Sequence, residues 1–184
     1  MAELATERLV LRPVARDDLP RIVALASDRR IAEMTRALPH PLTAALATDW
    51  FDSLAARREH AFAIASKDGG ALIGAITLIL AVDGKKAEIG YWLDQAHWGQ
   101  GLMTEAVRRI VRYAFGDLKL TAVEADVLPG NERSVGVLVK AGFDVEGRAT
   151  RPVPARGGDR EVLLFEATRA SFARAALSQA VGRE

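Results

Sequence analysis

Runs of alternating hydrophobic and polar residues are interleaved along this chain with runs at helical spacing. Glu7 to Val14 sets Leu9, Leu11 and Pro13 against Val10 and Arg12, predicting a first strand. Asp17 or Asp18 can cap a helix to about Ser27, with Leu19, Ile22, Val23 and Ala26 inward. Residues 28–41 are mixed and end in Leu38-Pro-His-Pro, which stops any helix. Thr43 can cap a second helix to about Arg58 carrying Leu46, Trp50, Phe51 and Leu54. Three strands follow, His60–Ser66, Ala71–Val82 and Lys86–Leu93, joined by Lys67-Asp-Gly-Gly and Asp83-Gly84. Turns this short make an antiparallel meander.

The pattern then changes period. Leu102, Ala106, Ile110, Val111 and Ala114 recur at helical spacing over Gln100 to Phe115. The strand Leu120–Val127 that follows lies parallel to Lys86–Leu93 by the crossover rule. Asn131 to Lys140 predicts a short helix left through Ala141-Gly-Phe. Val145–Val153 and Arg160–Ala167 predict a hairpin around Ala155-Arg-Gly-Gly-Asp, and residues 170–184 a peripheral helix or tail. There is no repeat and no linker, so residues 1–184 are expected to form one α+β domain.

Chemistry concentrates where the meander meets the helix. Gly99-Gln-Gly101 sits at a strand-to-helix turn. Residues without a Cβ let a ligand approach the backbone, and the free amides of the first helical turn, at the positive end of its dipole, suit a phosphate. A tight turn that binds nothing has the same spacing. No G-x-x-x-x-G-K-[ST] occurs, and the third glycine of a dinucleotide fingerprint is Thr104 here. Glu124 and Asp126 lie near the place of that fingerprint's ribose acid, which keeps a dinucleotide site as the runner-up. The meander counts against it, because that fold needs helical crossovers.

Composition narrows the classes. A net charge of +1 gives no field to recruit nucleic acid or an anionic membrane. The absence of cysteine excludes disulfides, thiolate metal sites and a cysteine nucleophile. His40, His60 and His97 are scattered without ligand spacing, so no metal site is expected. Residues 1–7 lack signal-peptide character, and the apolar stretch Leu72 to Val82 is too short to span a bilayer. A cytoplasmic protein is the expectation.

Four motifs in order carry a resemblance: Gly90-Tyr-Trp-Leu, Trp98-Gly-Gln-Gly-Leu-Met-Thr-Glu-Ala, Asn131-Glu-Arg-Ser134 and Ala141-Gly-Phe. Together they resemble the GCN5-related N-acetyltransferases (GNAT), and within them the RimJ/RimL-like ribosomal-protein enzymes, to which Arg8-Leu-Val-Leu-Arg12 and Leu38-Pro-His-Pro-Leu-Thr43 are also similar. The resemblance covers the chain to about Ala167. It implies a GNAT fold: one mixed, mostly antiparallel sheet of about seven strands, helices on both faces and a central splayed parallel pair.

The resemblance also implies acetyl-CoA as donor. Its diphosphate would sit on the amides of Gln100, Gly101, Leu102, Met103 and Thr104 beside Gly99, and its pantetheine arm along Tyr91, Trp92 and Leu93, with Asn131 contributing its carboxamide. The family's basic or glutamine residue three before the first loop glycine is Ala96 here, a contact that His97 could replace. The acceptor implied is a protein or peptide N-terminal α-amine. A small-molecule amine (aminoglycoside, polyamine or amino acid) and a CoA-binding module without turnover are the alternatives. A homodimer is admitted; nucleic acid and membrane are not expected as partners.

Transfer needs a neutral amine, a polarised carbonyl and a thiolate that can be protonated. An α-amine of pKa about 8 is already about one-tenth neutral at pH 7, so a modest base suffices. Glu88, Asp126 and Glu124 are the candidate bases, Glu124 sharing a strand face with Asp126. A tyrosine that many family members place in the helix after the asparagine is Leu138 here, leaving Ser134 to serve the thiolate. Trp50, Phe51 and Leu54 are expected in the core, Trp92 and Trp98 packed under the loop rather than lining the acceptor mouth, the alternative place for them, and Arg29, Arg30 and Arg36 on a solvated face.

Overall fold

A computed structural model of the chain describes residues 3–181. Among the described residues eight strands form one sheet in the order β1-β2-β3-β4-β5-β6-β8-β7. They are β1 (Leu4–Ala5), β2 (Leu9–Pro13), β3 (Glu59–Ser66), β4 (Leu72–Leu80), β5 (Lys86–Leu93), β6 (Ala122–Val127), β7 (Asp144–Val153) and β8 (Gly158–Thr168). The strand beyond the expected seven is β1, whose two residues are too few to show a period. All neighbours are antiparallel except β5 and β6, which run parallel as the crossover rule requires.

The described residues also form six α-helices, which cover the two faces: α1 (Leu19–Ala26), α2 (Arg29–Ala32), α3 (Ala44–Ser53), α4 (Leu102–Gly116), α5 (Glu132–Lys140) and α6 (Arg169–Val181). Strand alternation divides the core between them. Phe62 and Ile64 of β3 join Ile76, Leu78, Val107, Ile110 and Leu138 in the larger cluster, on the α4 side. Ala61 and Ala63, turned to the other face, leave room for Leu19, Ile22 and Ala47 of α1 and α3. Trp50, Phe51, Leu54 and Trp92 pack on this second cluster. Leu46 does not; at 43% exposure it stands at the mouth of a cleft.

Several boundaries differ from expectation for local reasons. Thr43 caps α3, accepting from the Leu46 amide at 3.2 Å, but the helix ends at Ser53. Asp18 precedes α1 without capping it, because its carboxylate takes a two-pronged pair from Arg12 at 2.7 Å and the Ala15 amide at 2.8 Å. Residues 28–41 contain the one-turn helix α2, capped by Asp28. The final helix reaches Val181, and residues 182–184 of the predicted tail lie outside the described residues.

The Ala141-Gly-Phe exit has a packing reason. Gly142 takes φ +92°, and an added Cβ would lie 3.0 Å from the Ala175 side chain and 3.1 Å from the Phe172 backbone. The Ser171 hydroxyl donates to the Gly142 carbonyl at 2.7 Å, seating α6 against the end of α5. Only glycine combines that dihedral with that approach.

Candidate active site

The parallel pair parts almost as soon as it forms. β5 and β6 are in register at Lys86–Ala122, Ala87–Val123 and Glu88–Glu124, and no pairing continues beyond. From Ile89 to Leu93 the β6-facing edge of β5 therefore has no strand partner. A cleft of about 930 Å³ opens there, lined by Tyr91, Leu93, Asp126, Asn131, Ser134 and the start of α4 among others.

At one end of the cleft stands the Gly99-Gln-Gly101 corner. Both glycines have φ +76°, and no atom lies within 4 Å of where a Cβ would be on Gly99. Gly101 is the N-cap of α4 and supplies no capping side chain. The amides of Leu102, Met103 and Thr104 thus precede the first intrahelical bond, made by the Glu105 amide to the Gly101 carbonyl at 3.1 Å. Such a corner, open to solvent and rich in N–H groups, fits a diphosphate. Its shape is held from the residue just before β2. The Arg8 guanidinium donates to the Gln100 carbonyl at 3.0 Å and pairs with Glu105 at 2.7 Å. Burial pushes the Glu105 carboxyl up, but hydrogen bonds from Thr6 and Arg8 outweigh it and hold the group below the usual carboxylate range.

The middle of the cleft carries a charge cluster. The Arg36 guanidinium donates to Asp126 at 2.6 Å and to Glu88 at 2.5 Å, across the two diverging strands. Arg151 of β7 adds a contact to Asp126 at 3.3 Å. Asp126 is 10% exposed and Arg36 23%. Burial pushes the Glu88 carboxyl above its ordinary value, Asp126 adds to that, and Arg36 opposes it.

Two hydroxyls close the group. Tyr91 and Ser134 share a hydrogen bond of 2.7 Å between β5 and the first turn of α5. Burial holds the Tyr91 phenol above the usual tyrosine range, with the bond to Ser134 opposing, so it stays protonated at neutral pH. The Asn131 carboxamide is used within the protein. Its oxygen accepts from the Ser134 amide at 3.2 Å and its nitrogen donates to the Met34 carbonyl at 3.0 Å.

A family model described as an Acetyltransferase (GNAT) domain matches residues 8–144. The chain belongs to the GNAT acetyltransferase family. Like other GNAT proteins it is an N-acetyltransferase, and acetyl-CoA is the donor the family uses. The probable N-acetyltransferase YjcK of Bacillus subtilis is 44% identical over 122 residues, 64% of this chain and 67% of that protein. Shorter matches reach the ribosomal-protein-serine acetyltransferase of Escherichia coli (37% over 65 residues, 34% of this chain and 35% of that one) and the aminoglycoside N(6')-acetyltransferase type 1 of Klebsiella pneumoniae (34% over 76 residues, 41% and 35%). The crystal structure of a GNAT acetyltransferase from Bacillus anthracis superposes with a TM-score of 0.79 over 91% of this chain and 98% of that one; at 20% identity it shows the fold.

Most residues singled out by the GNAT motifs meet at this cleft. Glu88, Asp126, Trp92, Leu93, His97, Gly99, Gly101, Leu102, Met103, Thr104, Asn131 and Ser134 all line it. Leu102 and Met103 bury their side chains in the core, so only their backbone can face a ligand. Gln100 turns its side chain back to the Ala96 carbonyl at 3.0 Å, and His97 sits against Asp94 at 3.3 Å. Trp98 packs beneath the loop, donating to the Leu93 carbonyl at 2.7 Å, with the Arg133 guanidinium 4.8 Å from its ring centre.

Two expectations are corrected. Glu124 is no partner for Asp126: Lys86 holds it at 2.7 Å together with Glu166, away from the cleft. Arg36 is no solvated arginine but the bridge over Glu88 and Asp126, while Arg29 and Arg30 are exposed as expected. Tyr91 was read only as strand edge; its reach to Ser134 depends on where α5 lies, which no local pattern records. Among the described residues no group of three or more His, Asp or Glu could hold a metal ion, and no helix is long and apolar enough to cross a membrane.

Proposed function

We propose that the protein transfers the acetyl group of acetyl-CoA to a protein or peptide N-terminal α-amine, as a RimJ/RimL-like enzyme. The observation that carries this reading is the pairing of a weak base with a preformed hydroxyl donor across the strand gap. Burial raises the Glu88 carboxyl above its ordinary value and so strengthens it as a base, and an α-amine of pKa about 8 demands less of such a base than a lysine of about 10.4 does. The acceptor end is apolar around it, with Met34, Leu38, Leu46 and Trp50 in the wall. The match to the E. coli ribosomal-protein-serine enzyme supports the same acceptor class.

In this reading the corner at Gly99–Thr104 grips the donor's diphosphate and the unpaired edge of β5 takes its pantetheine arm as an added strand would lie. Glu88 and Asp126 take the proton released as the amine nitrogen bonds to the thioester carbon. The carbon–sulfur bond breaks, and Ser134, backed by Tyr91, hydrogen-bonds the leaving thiolate, which takes its proton from solvent. Asn131 acts indirectly, setting Ser134 through the cap of α5 and tying down the Met34 segment.

Thiol release from acetyl-CoA, measured across unblocked peptides, N-acetylated peptides carrying one lysine, amino sugars and polyamines, tests this. Turnover of the unblocked peptides alone is expected. Faster turnover of amino sugars or polyamines would move the acceptor to the small-molecule class. CoA binding with no turnover of any amine would leave a binding module.

A further inference from the structure

Arg36 belongs to the segment between α2 and α3, which has no regular structure of its own, yet the segment is fastened at three carbonyls. Asn131 donates to the Met34 carbonyl at 3.0 Å, and Arg156, from the turn between β7 and β8, donates to those of Thr35 and Leu38 at 3.3 and 3.4 Å. These ties flank Arg36 on both sides and leave its guanidinium between Glu88 and Asp126. The carboxylates deep in the cleft are paired: Glu88 with Arg36, Asp126 with Arg36 and Arg151, and the buried Glu59 with Arg57 at 3.1 Å, while Asp49 and Glu132 lie on its exposed rim.

We infer that Arg36 sets the charge of the acceptor, admitting a molecule with a single amine beside an apolar group and rejecting polycations. The inference rests on the acceptor reading above and deepens it. A polyamine or an aminoglycoside is held by several unpaired carboxylates, because each ammonium group must recover the water it gives up. Here the carboxylates nearest the strand gap already share a guanidinium. A second or third ammonium group would have to displace Arg36 and then lie beside it, at a cost in like-charge repulsion. A lone α-amine needs neither, since it binds as the neutral base or passes its one proton to Glu88. The exposed apolar surfaces of Met34 and Leu46, at 41% and 43%, suit the side chain of a first residue rather than a second cation.

The test compares spermine with an unblocked peptide lacking lysine and arginine, both titrated calorimetrically against the CoA-loaded enzyme and its Arg36→Gln and Arg36→Lys variants. The parent is expected to prefer the peptide. Arg36→Gln frees Glu88 and leaves Asp126 only the longer contact from Arg151, and should tighten spermine about tenfold while weakening the peptide little. Arg36→Lys restores the positive charge and should return most of the parent preference, which a merely structural role for Arg36 would not produce. The acid limb of the peptide pH–rate profile should also move up in Arg36→Gln, because Arg36 is the group that favours the Glu88 carboxylate against burial. The other charges facing that carboxyl, Asp126 and Arg151, are unchanged by the substitution. Unaltered CoA affinity shows that the variant is folded. Spermine binding the parent as tightly as the peptide, or a spermine-to-peptide ratio unmoved by Arg36→Gln, would overturn the inference. If no peptide turns over in any variant, the acceptor reading fails by itself, and the spermine ratio still decides the role of Arg36.

Discussion

The two ends of the cleft are assembled in opposite ways. At the α4 end, residues 99–104 bring two glycines and three uncapped amides together within a single turn of chain. At the acceptor end, Arg36, Glu88, Asp126 and Arg151 come from four segments and meet only because β5 and β6 diverge. The first end works through backbone geometry and a helix dipole, which side-chain substitution elsewhere hardly alters. The second works through a balance of charges, which any one of four substitutions upsets. On the proposed reading, donor binding should tolerate side-chain substitution elsewhere, whereas acceptor binding should respond to each of the four charges.

The comparison breaks most sharply at Gly101. Valine there must adopt φ +76°, which a β-branched residue strongly resists, and it puts methyl groups over the corner. CoA affinity measured by calorimetry should fall by about a hundredfold or more. Next comes the hydroxyl pair that links the two ends. Ser134→Ala should lower kcat by about a hundredfold with the acetyl-CoA KM nearly unchanged, in steady-state assays. Equal losses in kcat and in CoA binding would instead make Ser134 part of the donor end.

A smaller effect is expected at Arg8, the strap between β2 and the corner. Arg8→Ala leaves the Glu105 carboxylate unpaired beside the proposed diphosphate site, and CoA affinity should drop about fivefold, more at low salt than at high. At the acceptor end, Glu88→Gln combined with Asp126→Asn should shift the pH optimum of turnover upward. Because the Glu88 carboxyl is raised, it stays protonated to higher pH than an ordinary glutamate, and activity that needs its carboxylate falls as pH drops through that range. Without either acid, only the free fraction of amine remains to set the profile, and that fraction grows with pH. A pH–rate profile that overlays the parent would remove both residues as bases.

What could be read in the sequence follows the same division. The corner, the meander and the parallel strand are properties of neighbours in the chain, so glycine spacing, turn chemistry and the crossover rule suffice for them. The strand β1 escaped because two residues have no period. Glu124 looked equivalent to Asp126, since alternation puts both on one face; distance along the strand separates them, and Lys86 takes one while Arg36 takes the other. Arg36 itself sits in a segment with no period at all, and its partners lie 52 and 90 residues away. Tyr91 was visible as a strand residue but not as the partner of Ser134, 43 residues on. Pairings of that span depend on the packing of whole elements, and a single sequence holds no local trace of them.

The central claim is that the bare corner before α4 holds the diphosphate of acetyl-CoA. It is tested most directly by titrating CoA and pantetheine, which lacks the diphosphate, into the parent and into Gly101→Val. The account predicts that the parent binds CoA far more tightly than pantetheine and that this advantage disappears in Gly101→Val. Equal affinities for the two ligands in the parent, or a CoA advantage that survives the valine, would contradict it.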